Sequence, residues 1–117
     1  MKMGTHILAD FFGCPVEVLK SAEVLRQILN ETVSEANFTK VGESFHQFEP
    51  HGATGVIVLA ESHISVHTWP ENGTAAIDIF SCSGTGPAEK AFDFLIKRMK
   101  PEKFNKEVIE REEKGSN

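Results

Sequence analysis

Residues 55–60 (GVIVLA) contain no polar side chain, and this run limits the possible folds more than any other stretch of the chain. Successive strand residues point to opposite faces of a sheet, so a strand backed by water alternates apolar and polar side chains. A strand that is apolar at both parities needs cover on both sides. Residues 55–60 are therefore expected to form a central strand of a sheet whose two faces are both buried.

The flanking sequence shows what cover is available. Residues 5–12 are β-branched and aromatic and end at Gly13, which reads as a strand. Residues 39–49 set Val41 and Phe45 against His46 and Phe48 and close in a turn at Pro50, His51 and Gly52. Residues 64–69 alternate Ile64, Val66 and Thr68 against Ser65, His67 and Trp69. A Pro70-Glu71-Asn72-Gly73 turn then leads to residues 74–81, where Ile77 and Ile79 oppose Asp78, Phe80 and, just beyond, Cys82. Two segments change to helical spacing. After Pro15, Val18, Ala22, Leu25, Ile28, Leu29, Val33 and Ala36 predict one long amphipathic helix. After Pro87, the stripe Ala88, Ala91, Phe92, Leu95 and Met99 predicts a second, closed by Pro101. A last strand is expected over about 104–109, before a charged tail at 110–117; the stretch 106–117 reads as a frayed polar end without a role.

Two helices and six mostly antiparallel strands predict an α+β fold, a two-layer sandwich with the helices on the Ile64/Val66/Ile77/Ile79 face. With no third helix for the other face, a second copy is expected to stack its sheet there, giving a four-layer αββα dimer by two-fold symmetry. At 117 residues the chain, 1–117, holds a single domain. Its net charge of −5 repels a phosphate backbone, so nucleic acid is not an expected partner. No apolar stretch approaches the roughly 20 residues that span a bilayer, and the first ten residues lack the pattern of a secretory signal, so a cytoplasmic protein without a membrane partner is expected. Cys14 and Cys82 are too few for a disulfide framework, and neither belongs to a CxxC pair.

Reactive side chains crowd between Glu61 and Cys82. His63 and His67 are four apart, but along a strand that spacing is about 13 Å, too far for one ion, so no metal site is expected. Ser62, His67 and Asp78 lack the glycines of a nucleophile elbow. Cys82 with His67 is a better nucleophile and base, because neighbouring strands can bring them together. Taken singly, each residue also has a plain reading: a cysteine at a strand end as a small hydrophobe, a histidine beside a tryptophan as a packed, hydrogen-bonded side chain, Ser62 as a turn hydroxyl.

The combination is more specific. His6-Ile7-Leu8-Ala9, then Phe45-His46-Gln47-Phe48, then Thr54 through Glu71 with its Glu61-Ser62-His63 and His67-Thr68-Trp69-Pro70-Glu71 elements, then Ala75 through Cys82, closely resemble the small prokaryotic S-adenosylmethionine decarboxylases. The resemblance implies a self-cleaving proenzyme, cut between Glu61 and Ser62 into a β chain, 1–61, and an α chain, 62–117, whose first residue becomes a covalently bound pyruvoyl group. It implies that Ser62 attacks the Glu61 carbonyl, that His67 removes the Cα proton of residue 62 during processing, and that Thr54, where the family usually has serine, assists. The ketone then serves as the electron sink for decarboxylation by capturing the substrate amine as an imine, with no pyridoxal phosphate and no metal. Cys82 is implied as the proton donor to the substrate Cα.

The implied substrate is S-adenosylmethionine, and the implied product is the aminopropyl donor for spermidine synthesis. Phe48 is implied to stack on adenine, Glu71 to bind the ribose and Trp69 to build the pocket, in a homodimer of processed αβ protomers with the site at the interface, so that Phe48 serves the partner's pyruvoyl. Two alternatives remain. Relatives with the same chemistry decarboxylate arginine or ornithine, and Asn72 and Thr74, where close relatives often carry tyrosine, keep that option open. The other is a non-enzymatic dimeric module that binds a metabolite.

Overall fold

The structure is a computed structural model, and it describes residues 1–114. Its elements in chain order are β1 (Lys2–Phe12), α1 (Ala22–Glu35), β2 (Lys40–Gln47), β3 (Ala53–Leu59), β4 (Ser62–Trp69), β5 (Thr74–Ser81), α2 (Thr85–Met99) and β6 (Lys103–Glu112). The strands form one antiparallel sheet in the order β2-β3-β4-β5-β1-β6. Both helices lie on one face of it, where the α1 stripe of Leu25, Ile28, Leu29 and Val33 and the α2 stripe of Ala88, Ala91, Phe92, Leu95 and Met99 are buried. From the sheet, Ile7, Phe11, Ile57, Ile64, Val66 and Ile79 meet them with no exposed surface. Fully burying one such side chain contributes about 1.5–3 kcal/mol. This is the expected two-layer α+β sandwich, with the alternation of β4 and β5 facing as the sequence predicts. Among the described residues no helix is long and apolar enough to cross a membrane.

The apolar run of β3 has a different setting from the one its composition predicts. β3 lies one strand in from the β2 edge rather than at the centre. Its Ala53, Gly55, Ile57 and Leu59 are buried beneath the helices, but on the opposite face Val56 is only half-buried and Val58 is 46% exposed. Among the described residues no helix covers that face. Gly55 opens the run for a local reason: the Phe45 ring of β2 crosses directly over it, and a Cβ there would lie 2.2 Å from the ring. Val41 does not share Phe45's cover. A register shift between Lys40 and Gly42 turns it out, and it is 67% exposed.

Two further expectations are corrected. The predicted helix from Pro15 is interrupted: residues Val16–Val18 make a single 3-10 turn, and α1 starts only after Ser21. The Ser21 hydroxyl accepts the amides of Glu23 and Val24 at 3.1 and 3.3 Å, an N-cap that begins a new helix where spacing alone would run straight through. The polar end from Lys106 is not frayed up to Glu112. β6 pairs with β1 from Phe12 opposite Lys103 to Lys2 opposite Glu112, and only residues 115–117 of that expectation lie outside the described residues. β6 is an edge strand, and charged side chains at an edge discourage pairing with other chains. Its composition therefore imitates a disordered tail.

The opposite edge is tied to α1 through Glu43. Lys40 (2.5 Å), Arg26 and Asn30 (3.2 Å) all donate to its carboxylate. The Lys40 and Arg26 hydrogen bonds are the main cause that lowers its pKa to about 2. With the folded-state pKa below the unfolded value of 4.5, this stabilisation is complete above about pH 4.5 and is lost as pH falls towards 2. Urea midpoints measured between pH 6 and pH 2.5 should therefore fall on the acid side, and Glu43→Gln should flatten part of that fall.

Candidate active site

The open face of the sheet is built from rows of residues that the antiparallel register places side by side. One row runs His46, Thr54, His67 and Ala76 across β2 to β5; the next contains Val56, Ser65, Asp78 and Leu8; the third contains Val58, His63, Phe80 and His6. The predicted site residues fall into two groups at opposite ends of β4.

The first group surrounds a cleft of about 590 Å³, within the usual range of small-molecule sites. Phe48, Thr54, His67, Trp69 and Glu71 all line it, together with Glu49, Pro50, His51, Gly52 and Thr68. Thr54 and His67 are opposite each other in the register, and the Thr54 hydroxyl lies 3.0 Å from His67 Nδ1. That bond sets the ring orientation and leaves Nε2 free for other work. Phe48 and Trp69 are 46% and 44% exposed, so each keeps an aromatic face available. Phe48 leans edge-on against His46, with ring centroids 4.6 Å apart. No lysine or arginine lines the cleft, whereas Glu49 and Glu71 do.

The second group is the link between β3 and β4. Leu59 pairs with Ser62, so only Ala60 and Glu61 make the connection. Ser62 has φ +147°, a conformation that side-chain-bearing residues rarely adopt and that costs on the order of 1–3 kcal/mol. The Glu61 carbonyl accepts the backbone amide of Cys82 at 2.8 Å. The Glu61 carboxylate accepts the Thr39 amide at 2.9 Å and its hydroxyl at 3.1 Å, and the amide hydrogen bond is the main cause that holds its pKa below the ordinary value. The Cys82 side chain is exposed beside this link, whereas Cys14 is buried and its thiol is pushed up to about 11 by desolvation.

Within one chain the two groups do not meet. Ser62 and His67 are separated by five residues of extended strand, roughly 17 Å. They also differ in parity: Ser62 pairs with Leu59 and Ser81, whose side chains are buried on the helix side, and His67 pairs with Thr54 and Ala76 on the open face. The same strand geometry separates His63 from His67. Among the described residues, no group of three His, Cys, Asp or Glu converges as metal ligands would.

Some features of the site lie beyond the reach of a linear reading. The hydrogen bond from Cys82 to the Glu61 carbonyl joins residues 21 positions apart, and no local pattern announces it. A pair on the open face between the two groups, His6 Nε2 to Asp78 Oδ1 at 2.8 Å, was likewise missed. The β1–β5 register, which a linear reading does not supply, places both residues on one face as neighbours.

The fold and these two groups define an α+β domain with a strained, serine-containing link and a separate aromatic, acidic cleft. A family model described as S-adenosylmethionine decarboxylase matches residues 5–112. A protein from Sulfurihydrogenibium sp. (strain YO3AOP1), described as S-adenosylmethionine decarboxylase proenzyme, is 48% identical over 109 residues, 93% of this chain and 82% of its own length. One of the same description from Archaeoglobus fulgidus is 45% identical over 111 residues, 95% of this chain and 99% of its own. The crystal structure of the adenosylmethionine decarboxylase from Aquifex aeolicus VF5 superposes with a TM-score of 0.93 at 41% identity, covering 99% of this chain and 96% of that one. The chain belongs to the S-adenosylmethionine decarboxylase family. Membership in an enzyme family removes the alternative of a non-enzymatic binding module.

The strain at residue 62 has a measurable consequence. Ser62→Gly and Ser62→Ala both remove the hydroxyl, but only glycine adopts φ +147° freely. In urea unfolding the glycine variant should be the more stable of the two by about 1 kcal/mol; equal stability would mean that the link carries no strain.

Proposed function

We infer that this chain is a self-processing, pyruvoyl-dependent S-adenosylmethionine decarboxylase that cuts itself between Glu61 and Ser62. The observation that carries this reading is the Glu61 carbonyl, held by the Cys82 amide next to a strained serine. Attack by Ser62 Oγ on that carbonyl places negative charge on the oxygen that already accepts the Cys82 N–H, so the donor is in place before the charge develops. The C–N bond breaks and the strained backbone becomes an ester. A base then removes the Cα proton of residue 62, the Cβ–O bond breaks, Glu61 leaves as a carboxylate, and water converts the dehydroalanine to the ketoacyl group with loss of ammonia.

His67 is that base, oriented by Thr54, but it acts on a second copy. Roughly 17 Å of strand separates it from Ser62 in its own chain. The open sheet face carries Leu8, Val56, Val58, Phe80 and Ile109, partly or largely exposed, and no helix is available to cover them. Stacking a second sheet on this face by two-fold symmetry gives the four-layer αββα dimer, covers the apolar run of β3 and lets the cleft of one protomer meet the Ser62 link of its partner.

Residue 62 at the new terminus suits the pyruvoyl group, because it is a serine next to a carbonyl that already accepts a hydrogen bond from the Cys82 amide. The group supplies a ketone that binds the substrate amine and accepts the electron pair released with carbon dioxide. Cys82, exposed beside residue 62, returns a proton to the substrate Cα. In the cleft, Phe48 stacks on adenine, Trp69 walls the pocket and Glu71 accepts from the ribose hydroxyls. A lining with two carboxylates, open aromatic faces and no lysine or arginine suits a sulfonium cation. The aromatic walls favour an adenosyl substrate: adenine offers a larger stacking face than the planar guanidinium of arginine, and ornithine has no flat group to stack.

Three outcomes test this reading. Wild-type protein should release carbon dioxide from S-adenosylmethionine; release only from arginine or ornithine would sink the substrate assignment. Cys82→Ala should still be cut, judged by mass spectrometry of the two fragments, but turn over about 10²-fold more slowly. Ser62→Ala and His67→Ala should each remain whole when made alone. Co-expressed, the His67→Ala chain should be cleaved by histidine from its partner, and its persistence intact would show that the site is not shared.

A further inference from the structure

The turn after β5 that carries Cys82 is held from below by residues that the reaction does not use. Thr5 of β1 is fully buried and pairs in register with both Ser81 and Glu110. Its hydroxyl donates to Glu110 Oε1 at 2.6 Å and lies 3.0 Å from the hydroxyl of Thr85, the first residue of α2. Thr85 donates to the same Glu110 oxygen at 3.0 Å, and Lys2 pairs with the other carboxylate oxygen. The Lys2 and Thr5 hydrogen bonds are the leading causes that lower the Glu110 pKa to about 2, so it is an acceptor throughout the neutral range. α2 has no side-chain cap of its own and no acidic residue in its first turn, so β6 supplies the negative charge favoured at that end of the helix.

The residues between these anchors have little slack. Ser81 is fully buried, and its hydroxyl accepts the Ser83 amide at 3.1 Å. Gly4 passes so close that a Cβ there would lie 2.7 Å from the Ser81 carbonyl oxygen and 3.1 Å from Cys82 Cα. The turn is thus fixed at Ser81 by β1 and at Thr85 by Glu110, with Cys82 between them and its amide on the Glu61 carbonyl.

We propose that Glu110 is a positioning residue for Cys82: with Thr5 and Thr85 it clamps the turn at residues 82–84, and so aims both the amide that serves self-cleavage and the thiol that serves decarboxylation. This rests on the function inferred above for Cys82. The necessary part of Glu110 is an acceptor oxygen for two hydroxyls, not its charge towards Lys2.

Peptide-resolved hydrogen exchange on the full chain, with rates of self-cleavage and turnover, tests the clamp. Glu110→Ala should speed exchange in residues 82–86 while leaving α1 and β3 unchanged, because the loss is local. It should also slow self-cleavage and lower kcat by about 10–10²-fold, with KM within about twofold. Glu110→Gln, which keeps an acceptor oxygen, should restore both, and Lys2→Ala should match wild type. If Glu110→Ala fails to fold, Thr85→Val, which removes one arm only, should show the same local change. Exchange that is unchanged at 82–86, or raised evenly along the chain, overturns the proposal, as does a glutamine variant as impaired as alanine. A wild-type protein that is inert towards S-adenosylmethionine would instead overturn the function inferred above, and the exchange result would still report on the clamp.

Discussion

The short link between β3 and β4 governs the rest of the molecule. Two residues must reverse the chain while Leu59 and Ser62 stay paired, and three groups pin the reversal: Thr39 on the Glu61 carboxylate, the Cys82 amide on the Glu61 carbonyl, and the β5 ladder on Ser62. Residue 62 is forced to a positive φ because it cannot relax without breaking one of them. The conformation persists because the surrounding sheet over-determines it, as strained residues at functional sites generally require. The hydrogen bond from the Cys82 amide to the Glu61 carbonyl is also one of the constraints around the strained residue, so under the proposed cleavage the same fold that strains the link would prepare it.

From that link the sheet sets a division of labour. β4 carries Ser62 at one end and the Thr54-oriented His67 near the other, on opposite faces, and no rotamer spans the distance between them. The apolar side chains left on the open face are what the proposed second sheet would cover, and in that proposed dimer the same contact would unite the two halves of the site. The helices cover one face and build the core. β6 is the last strand added, and it closes the sheet beside β1 while lending Glu110 to the turn that holds Cys82.

Much of this was legible in the sequence where side-chain period reports burial directly. The alternation Ile64, Val66, Thr68 against Ser65, His67, Trp69 assigned both faces of β4, and that of Ile77 and Ile79 against Asp78 and Phe80 did the same for β5. The stripe of α2 was equally plain. The reading failed where burial does not follow from spacing. Ser21 starts a new helix through hydroxyl bonds to two amides, which an apolar count ignores. The strand expected over about 104–109 is present, but β6 runs on to Glu112 and is exposed along its whole length, so the part read as a polar end owes its strand character to backbone pairing with β1. The position of β3 off the centre of the sheet depends on strand order, which composition does not encode.

By itself the sequence determined the α+β class, the faces of the alternating strands and, through its resemblance, the family and the candidate residues for its chemistry, because local period and residue type are properties of the chain alone. Only the tertiary structure decided how those residues meet. It joined the Cys82 amide to the Glu61 carbonyl, gathered Phe48, Thr54, His67, Trp69 and Glu71 around one cleft, and held Ser62 and His67 apart within the chain. These are distances between strands, set by register and sheet order, and they arise only once the backbone hydrogen bonds of all six strands are made together.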